Sequence, residues 1–173
     1  MKTLKPFSPM QEANAAVAIL LKPTKQDVNI LLVKRVENPK DPWSGQMALP
    51  GGKREPKDRD LKETVLRETF EETGINLRDH CRFLGVTKPV RSRLNPEMRI
   101  LPFVFLLKHE PVIKLNREEL ERYYWIPIKK LLRNESILKF GFKTYPAFII
   151  EDIKIWGLTF RILKNLFHAF YTC

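Results

Sequence analysis

The segment from Gly51 to Ile75, GGKREPKDRDLKETVLRETFEETGI, limits what this chain can fold into more than any other. It opens on a glycine pair and passes through a charged loop into Leu61–Thr73, which reads as a helix. Asp60 stands at the N-cap with Glu63 three residues on, the pattern of a capping box, and Gly74 supplies the stop. Leu61, Val65, Leu66 and Phe70 recur at helical spacing and predict the face that packs inward. Glu68, Glu71 and Glu72 fall at i, i+3 and i+4 and share a face, read as the one opposing the apolar stripe. Like charges stacked in this way are unfavourable in an isolated helix, and a bound cation reverses that sign. Oxygen donors without His or Cys suit a hard ion, Mg²⁺ or Mn²⁺, which binds carboxylates and substrate phosphates together. Taken alone, an E-x-x-E-E pattern is more often a solvated acidic face, here with Lys62 and Arg67 as partners.

The rest of the chain supplies strands for that helix to pack on. Residues 1–12 read as a loose lead-in. Ala15–Leu21 and Val28–Arg35 predict two strands joined by a polar turn, and Met47–Leu49 a short one ending at Pro50-Gly51-Gly52. Arg82–Thr87 and Arg99–Leu107 predict further strands, separated by a basic, Pro-bearing loop. Glu118–Tyr124 leads into Trp125-Ile126-Pro127, followed by a short helix over Ile128–Leu132. Residues 134–155 predict a strand pair with a loop around Tyr145-Pro146. Leu158–Tyr171 closes the chain as a helix, with Leu158, Ile162, Leu163, Leu166, Phe167 and Phe170 on one side. With no internal repeat and no domain-length linker, residues 1–173 are expected to form one domain. Strands mixed with two main helices predict an α/β fold, a sheet covered by helices on both faces.

Composition narrows the function classes. Cys81 and Cys173 lie far apart, with no Cys-x-x-Cys pair and no His at ligand spacing, so neither a disulfide nor a zinc site is expected. The apolar run Ala13–Leu21 follows a few lysines but is short and ends at Lys22-Pro23 without a cleavage pattern. No run approaches the roughly 18 apolar residues of a membrane span. A cytoplasmic protein is expected. The formal net charge of +11 favours anionic partners, nucleic acid and phosphorylated metabolites among them.

The Gly51–Ile75 segment resembles the Nudix box, G-x5-E-x7-R-E-U-x-E-E-x-G-U with U apolar. Gly52, Arg67-Glu68, Glu71-Glu72, Gly74 and Ile75 match, and Thr69 occupies an apolar position. The first acid is Asp58, separated from Arg67 by eight residues rather than seven. The resemblance implies that Glu68, Glu71 and Glu72 ligate the metal, and that one of them activates water. Arg67 would pair with a box carboxylate and hold the ligand geometry, and Gly52 would let the loop turn tightly against the helix. It also implies the fold, a Nudix α/β/α sandwich with a mixed β-sheet between helices.

Ile30–Arg35 followed by Gly45–Gly52 resembles the coenzyme A diphosphatase branch of that family, which also tends to carry an Asp with an extra residue in its box. Ile155–Thr159 with Arg161–Leu163 resembles the branch's closing motif. Trp43 stands where the branch usually has His, and its usual arginine is missing from Pro39–Pro42.

Other residues are read beside these. Glu119, in Glu118-Glu119-Leu120, resembles the loop acid that some Nudix enzymes use as an extra ligand or base; as plain sequence it begins a helix or turn. Arg91 and Arg93 lie in a loop able to reach substrate phosphate, and Lys53 and Arg54 beside Gly51-Gly52 are similar candidates. Trp43 and Tyr145 are candidates for stacking on adenine, although loop aromatics more often cover core.

The leading expectation is hydrolysis of a diphosphate in a small nucleoside derivative, with coenzyme A or an acyl-CoA favoured as substrate. ADP-ribose, dinucleotides, oxidised nucleoside triphosphates and capped RNA are rivals; an RNA substrate would show steep salt dependence. A Nudix fold that binds nucleotide or RNA without cutting it is a second class, disfavoured by the complete R-E-x-x-E-E set. A scaffold protein would leave the clustered carboxylates without a purpose. A homodimer is left open.

Overall fold

The computed structural model describes residues 4–9, 12–41 and 43–171, so Cys173 and Pro42 lie outside the described residues. In chain order the elements are β1 (Ala15–Pro23), β2 (Val28–Arg35), β3 (Met47–Ala48), β4 (Gly51–Lys53), α1 (Leu61–Thr73), α2 (Leu77–His80), β5 (Cys81–Val86) and β6 (Val90–Arg91). They continue with β7 (Arg99–Leu107), β8 (Leu120–Pro127), α3 (Ile128–Arg133), β9 (Glu135–Phe140), β10 (Lys143–Ile150), β11 (Ile153–Trp156) and α4 (Gly157–Tyr171). Among the described residues β1–β8 form one mixed eight-stranded sheet, and β9–β11 a separate three-stranded sheet.

β1 and β7 run parallel from Ala15↔Ile100 to Leu21↔Leu106 at the centre of the large sheet. Both are nearly continuous apolar runs because both of their faces are covered. Ile19 and Leu21 point with Ile30, Leu32 and Val104 toward α3, α4 and the small sheet. Ala16, Ala18 and Leu20 point with Leu31, Leu101 and Phe103 toward α1 and α2. The result is the expected α/β/α arrangement, a mixed sheet between helices. Leu31 is fully buried, and truncating it to Ala would cost about 2–5 kcal/mol.

The pairing of β1 changes along its length. Its end pairs with β2 (Leu21↔Ile30), whereas its start pairs with β4 (Ala16↔Gly52). β2 leans away onto β8 and β3. The split seats the glycine strand beside β1 and opens a cavity between the diverging strands.

Five expectations are corrected. Residues 4–9 are docked, not loose: Lys5 and Val86 exchange two backbone hydrogen bonds of 2.9 Å, and the Phe7 ring lies 5.0 Å from that of Phe103. Phe70 does not pack inward and is 56% exposed. At about 100° per residue it stands opposite Leu61, whereas Thr64, Val65, Thr69, Glu72 and Thr73 share the buried side. The small hydroxyl residues let α1 approach β1 and β4 closely, which places Glu72 on the sheet-facing side and not opposite it. Tyr145-Pro146 is no loop but the middle of β10; the turn is Gly141-Phe142, with Gly141 at φ +56°. Pro146 is tolerated because β11 pairs with β10 only from Ala147, so the missing N–H falls where β10 is paired on one side. Finally, residues 134–155 hold β9, β10 and most of β11, three strands of a separate sheet rather than a strand pair.

No helix among the described residues is long and apolar enough to cross a membrane.

Candidate active site

Gly51 and Gly52 fix how near α1 comes. A Cβ on Gly51, at φ +141°, would lie 2.2 Å from the Ala16 carbonyl oxygen. One on Gly52 would lie 2.5–2.7 Å from the atoms of the Glu68 carboxylate. The carboxylate therefore rests on bare backbone. One turn on, Glu72 accepts a hydrogen bond from the Gly51 N–H at 2.8 Å.

Arg67 gathers the remaining box residues. Its Nε and Nη2 donate to Asp58 Oδ1 and Oδ2, both at 2.9 Å, and its Nη1 donates to Glu68 Oε1 and Glu71 Oε2, also at 2.9 Å. Asp58 also accepts from the Glu55 N–H and the Thr64 hydroxyl. Although Asp58 is displaced by one residue in the sequence pattern, the loop delivers it to the arginine. Arg54, a candidate for substrate, donates through Nε and Nη2 to the carbonyls of Asp58 and Arg59 in that loop.

Charge and burial oppose each other here. The Arg67 bonds hold Asp58 well below the usual carboxylate range and keep Arg67 firmly protonated. Burial raises Glu68 despite Arg67, and repulsion from Glu71 and Glu119 adds to it. Burial pushes Glu72 up to about 8, against the Gly51 N–H, with Glu68 and Glu119 adding. Crowded, part-desolvated carboxylates of this kind are what a cation relieves.

Glu119 is exposed, on the turn before β8, and its charge reaches both Glu68 and Glu72. Asn116 docks this turn on the end of α1: its N–H donates to the Glu72 carbonyl at 2.9 Å, and its Nδ2 to Glu119 Oε1 at 2.9 Å. Asn116 was not anticipated. Its signal is Asn-x-x-Glu, with the Asn116 side chain accepting from the Glu118 N–H as a helix cap would.

A cavity of about 220 Å³ opens beside the glycine strand. Gly51, Gly52 and Lys53 form one edge, and Met47, Leu49, Met98 and Ile100 give it apolar walls. Arg35 and Trp43 also line it. Arg35 donates to Asp41 at 2.7 and 3.0 Å, and Asp41 accepts from the Trp43 N–H at 3.0 Å. These bonds outweigh burial and hold Asp41 below the usual range. Tyr145 is not at this cavity; it packs on Phe140 and Trp156 in the small sheet. Arg91 is exposed beside Lys5, Lys88 and Arg99, and Arg93 lies exposed past β6.

The donors available to a divalent cation are all carboxylate oxygens, which suits a hard ion. No three acids among the described residues form a closed ligand set. Arg67 holds Glu68 and Glu71, and Gly51 holds Glu72.

A family model of the NUDIX domain matches residues 12–148. The chain belongs to the Nudix family. The match spans the glycine strand, α1, the Asn116–Glu119 turn and most of the small sheet. Among curated relatives, the chain is 33% identical over 170 residues to an uncharacterised protein of Schizosaccharomyces pombe, covering 83% of this chain and 52% of that one. It is 31% identical to a peroxisomal coenzyme A diphosphatase of Caenorhabditis elegans, over 75% of this chain and 55% of the relative. The chain thus spans about half the length of these relatives. Among solved structures, a MutT protein of Methanosarcina mazei is 31% identical, with a TM-score of 0.53 over 71% of this chain and 84% of that one.

Proposed function

We propose that the protein is a metal-dependent pyrophosphatase that hydrolyses the diphosphate of coenzyme A or an acyl-CoA, releasing 3′,5′-ADP and the phosphopantetheine half. The observation that carries the chemistry is the packing of Glu68 and Glu72 on the Gly51-Gly52 backbone at the rim of a cavity, with the charge of Glu119 reaching both. The branch motifs and the relative named as a coenzyme A diphosphatase support the substrate.

In this reading Glu68, Glu71 and Glu72 hold Mg²⁺ or Mn²⁺. The ion would supply charge neutralisation at the diphosphate and acidify the attacking water. The chain does the rest. Gly51 and Gly52 let the diphosphate approach the backbone, with Lys53 at the same edge. Arg67, locked by Asp58, positions Glu68 and Glu71. Glu119, steadied through one oxygen by Asn116, is our assignment for the group that takes the water's proton. Arg35 and Asp41 hold Trp43 at the cavity for the organic part of the substrate. Arg91 and Arg93 supply positive field for its anionic groups. Cys81 is a buried free thiol, which supports a reducing compartment, and we keep the cytoplasm as the proposal.

A substrate panel tests this: coenzyme A, ADP-ribose, a dinucleotide, 8-oxo-dGTP and capped RNA, each with Mg²⁺ or Mn²⁺ and with products separated by chromatography. Release of 3′,5′-ADP from coenzyme A as the fastest reaction supports the proposal. Faster cleavage of another compound keeps the chemistry and overturns the substrate.

A further inference from the structure

Arg161 lies near the start of α4, and its Nε is buried without a hydrogen-bond partner. Burial, and then the charge of Arg93, push the Arg161 guanidinium below the usual arginine value. The arginine ion pairs among the described residues belong to Arg35, Arg59, Arg67, Arg99 and Arg122, and neither Arg93 nor Arg161 has one. Two cations held against their own repulsion, one partly out of water with an unused donor, are unfavourable until an anion completes them.

Their position indicates which anion. Thr159 and Ile162, on the same stretch of α4 as Arg161, line the cavity at the active site. Met98 lines it too, and its carbonyl accepts from the N–H of Ser92, next to Arg93, at 2.8 Å. Both arginines therefore stand on segments joined to the cavity wall, Arg161 beside Ile162 in sequence and Arg93 beside Ser92, whose partner Met98 lines it; Gly51-Gly52-Lys53 forms another edge. α4 has no acid in its first turn, so the positive end of its dipole is uncancelled there.

We infer that Arg161 and Arg93 form an anion subsite for a phosphate monoester that the substrate carries apart from its diphosphate. It selects nucleotides phosphorylated on the ribose over those that are not. The inference rests on the proposed coenzyme A reading, since coenzyme A bears such a phosphate at the ribose 3′ oxygen and dephospho-coenzyme A lacks it. Guanidinium groups grip phosphate through paired donors, so each arginine contributes direction as well as charge.

The test compares binding of 3′,5′-ADP and 5′-AMP by calorimetry, and kcat/KM for coenzyme A and dephospho-coenzyme A. It uses the wild type, Arg161→Met and Arg93→Gln. Met retains an unbranched stem and removes the orphaned donor, and Arg93 is exposed, so a folding defect in both is not expected. The wild type should prefer the 3′-phosphorylated compound about tenfold or more in each comparison, and each variant should bring the ratio close to one. A wild type without that preference, or a preference untouched by both variants, overturns the subsite. The two readings fail separately. A preference in binding that the variants abolish, without coenzyme A cleavage, upholds the subsite and sinks the diphosphatase. Equal cleavage of coenzyme A and dephospho-coenzyme A does the reverse.

Discussion

Arg67 and Asp58 meet as a two-point pair, Nε to Oδ1 and Nη2 to Oδ2, both at 2.9 Å. The pair is nearly out of solvent, with side chains 14% and 4% exposed. Removing one partner of such a pair leaves a buried charge, and Asp58→Asn is expected to cost about 3 kcal/mol. Because Asp58 titrates lower in the fold than its unfolded value of about 3.9, its stabilisation is fully present above that pH and fades as pH falls further. Thermal melts of both proteins from pH 2 to pH 7 should show a gap that is constant near neutrality and narrows below about pH 4. A gap that does not narrow contradicts the pairing.

Gly51 and Gly52 should respond differently to the same substitution. In Gly51→Ala the new Cβ meets backbone at 2.2 Å in a positive-φ conformation, and the melting temperature should fall sharply. In Gly52→Ala the Cβ meets only the end of the Glu68 side chain, which can swing aside. That variant should fold near-normally and bind Mn²⁺ about 10–100-fold more weakly, as read by metal titration. Loss of stability in Gly52→Ala with Mn²⁺ binding intact would refute the contact.

Thr69 is fully buried, and its hydroxyl has no hydrogen-bond partner among the described residues. Valine has nearly the same shape without the polar atom. Thr69→Val should therefore raise stability by about 1 kcal/mol in a denaturant titration. Destabilisation would mean that the hydroxyl is satisfied in solution.

Glu119 and its neighbour Glu118 are both exposed, but only Glu119 adds charge at Glu68 and Glu72. Glu119→Gln should lower kcat by about 100-fold with little change in KM, and Glu118→Gln should leave both near wild type. Equal effects of the two changes would remove Glu119 from the chemistry.

The sequence was legible where periodicity was strong. β1, β2, β7, α1 and α4 follow from apolar runs and caps that local propensity and packing both favour. Phe70 departs from its apolar spacing because threonines and Glu72, not only apolar residues, make the buried side of α1. Pro146 misled because proline marks turns, while its position on a half-paired strand is set by the partner β11. Of the candidate site, the shared face of Glu68, Glu71 and Glu72 is readable from their spacing, and Arg67 and Gly52 from the resemblance to the Nudix box. Asn116, the Arg35–Asp41 support of Trp43 and the unpaired Arg161 depend on contacts between distant segments, which no local pattern carries.

In the proposed reaction the α1 carboxylates bind the metal needed to cleave a coenzyme A diphosphate. The most direct measurement is release of 3′,5′-ADP from coenzyme A against Mg²⁺ or Mn²⁺ concentration, for the wild type and for Glu68→Gln and Glu72→Gln. Metal-dependent release by the wild type, falling by about 100-fold or more in each variant while the fold is retained, is the predicted result. Metal-independent release, or variants as active as the wild type, would contradict it.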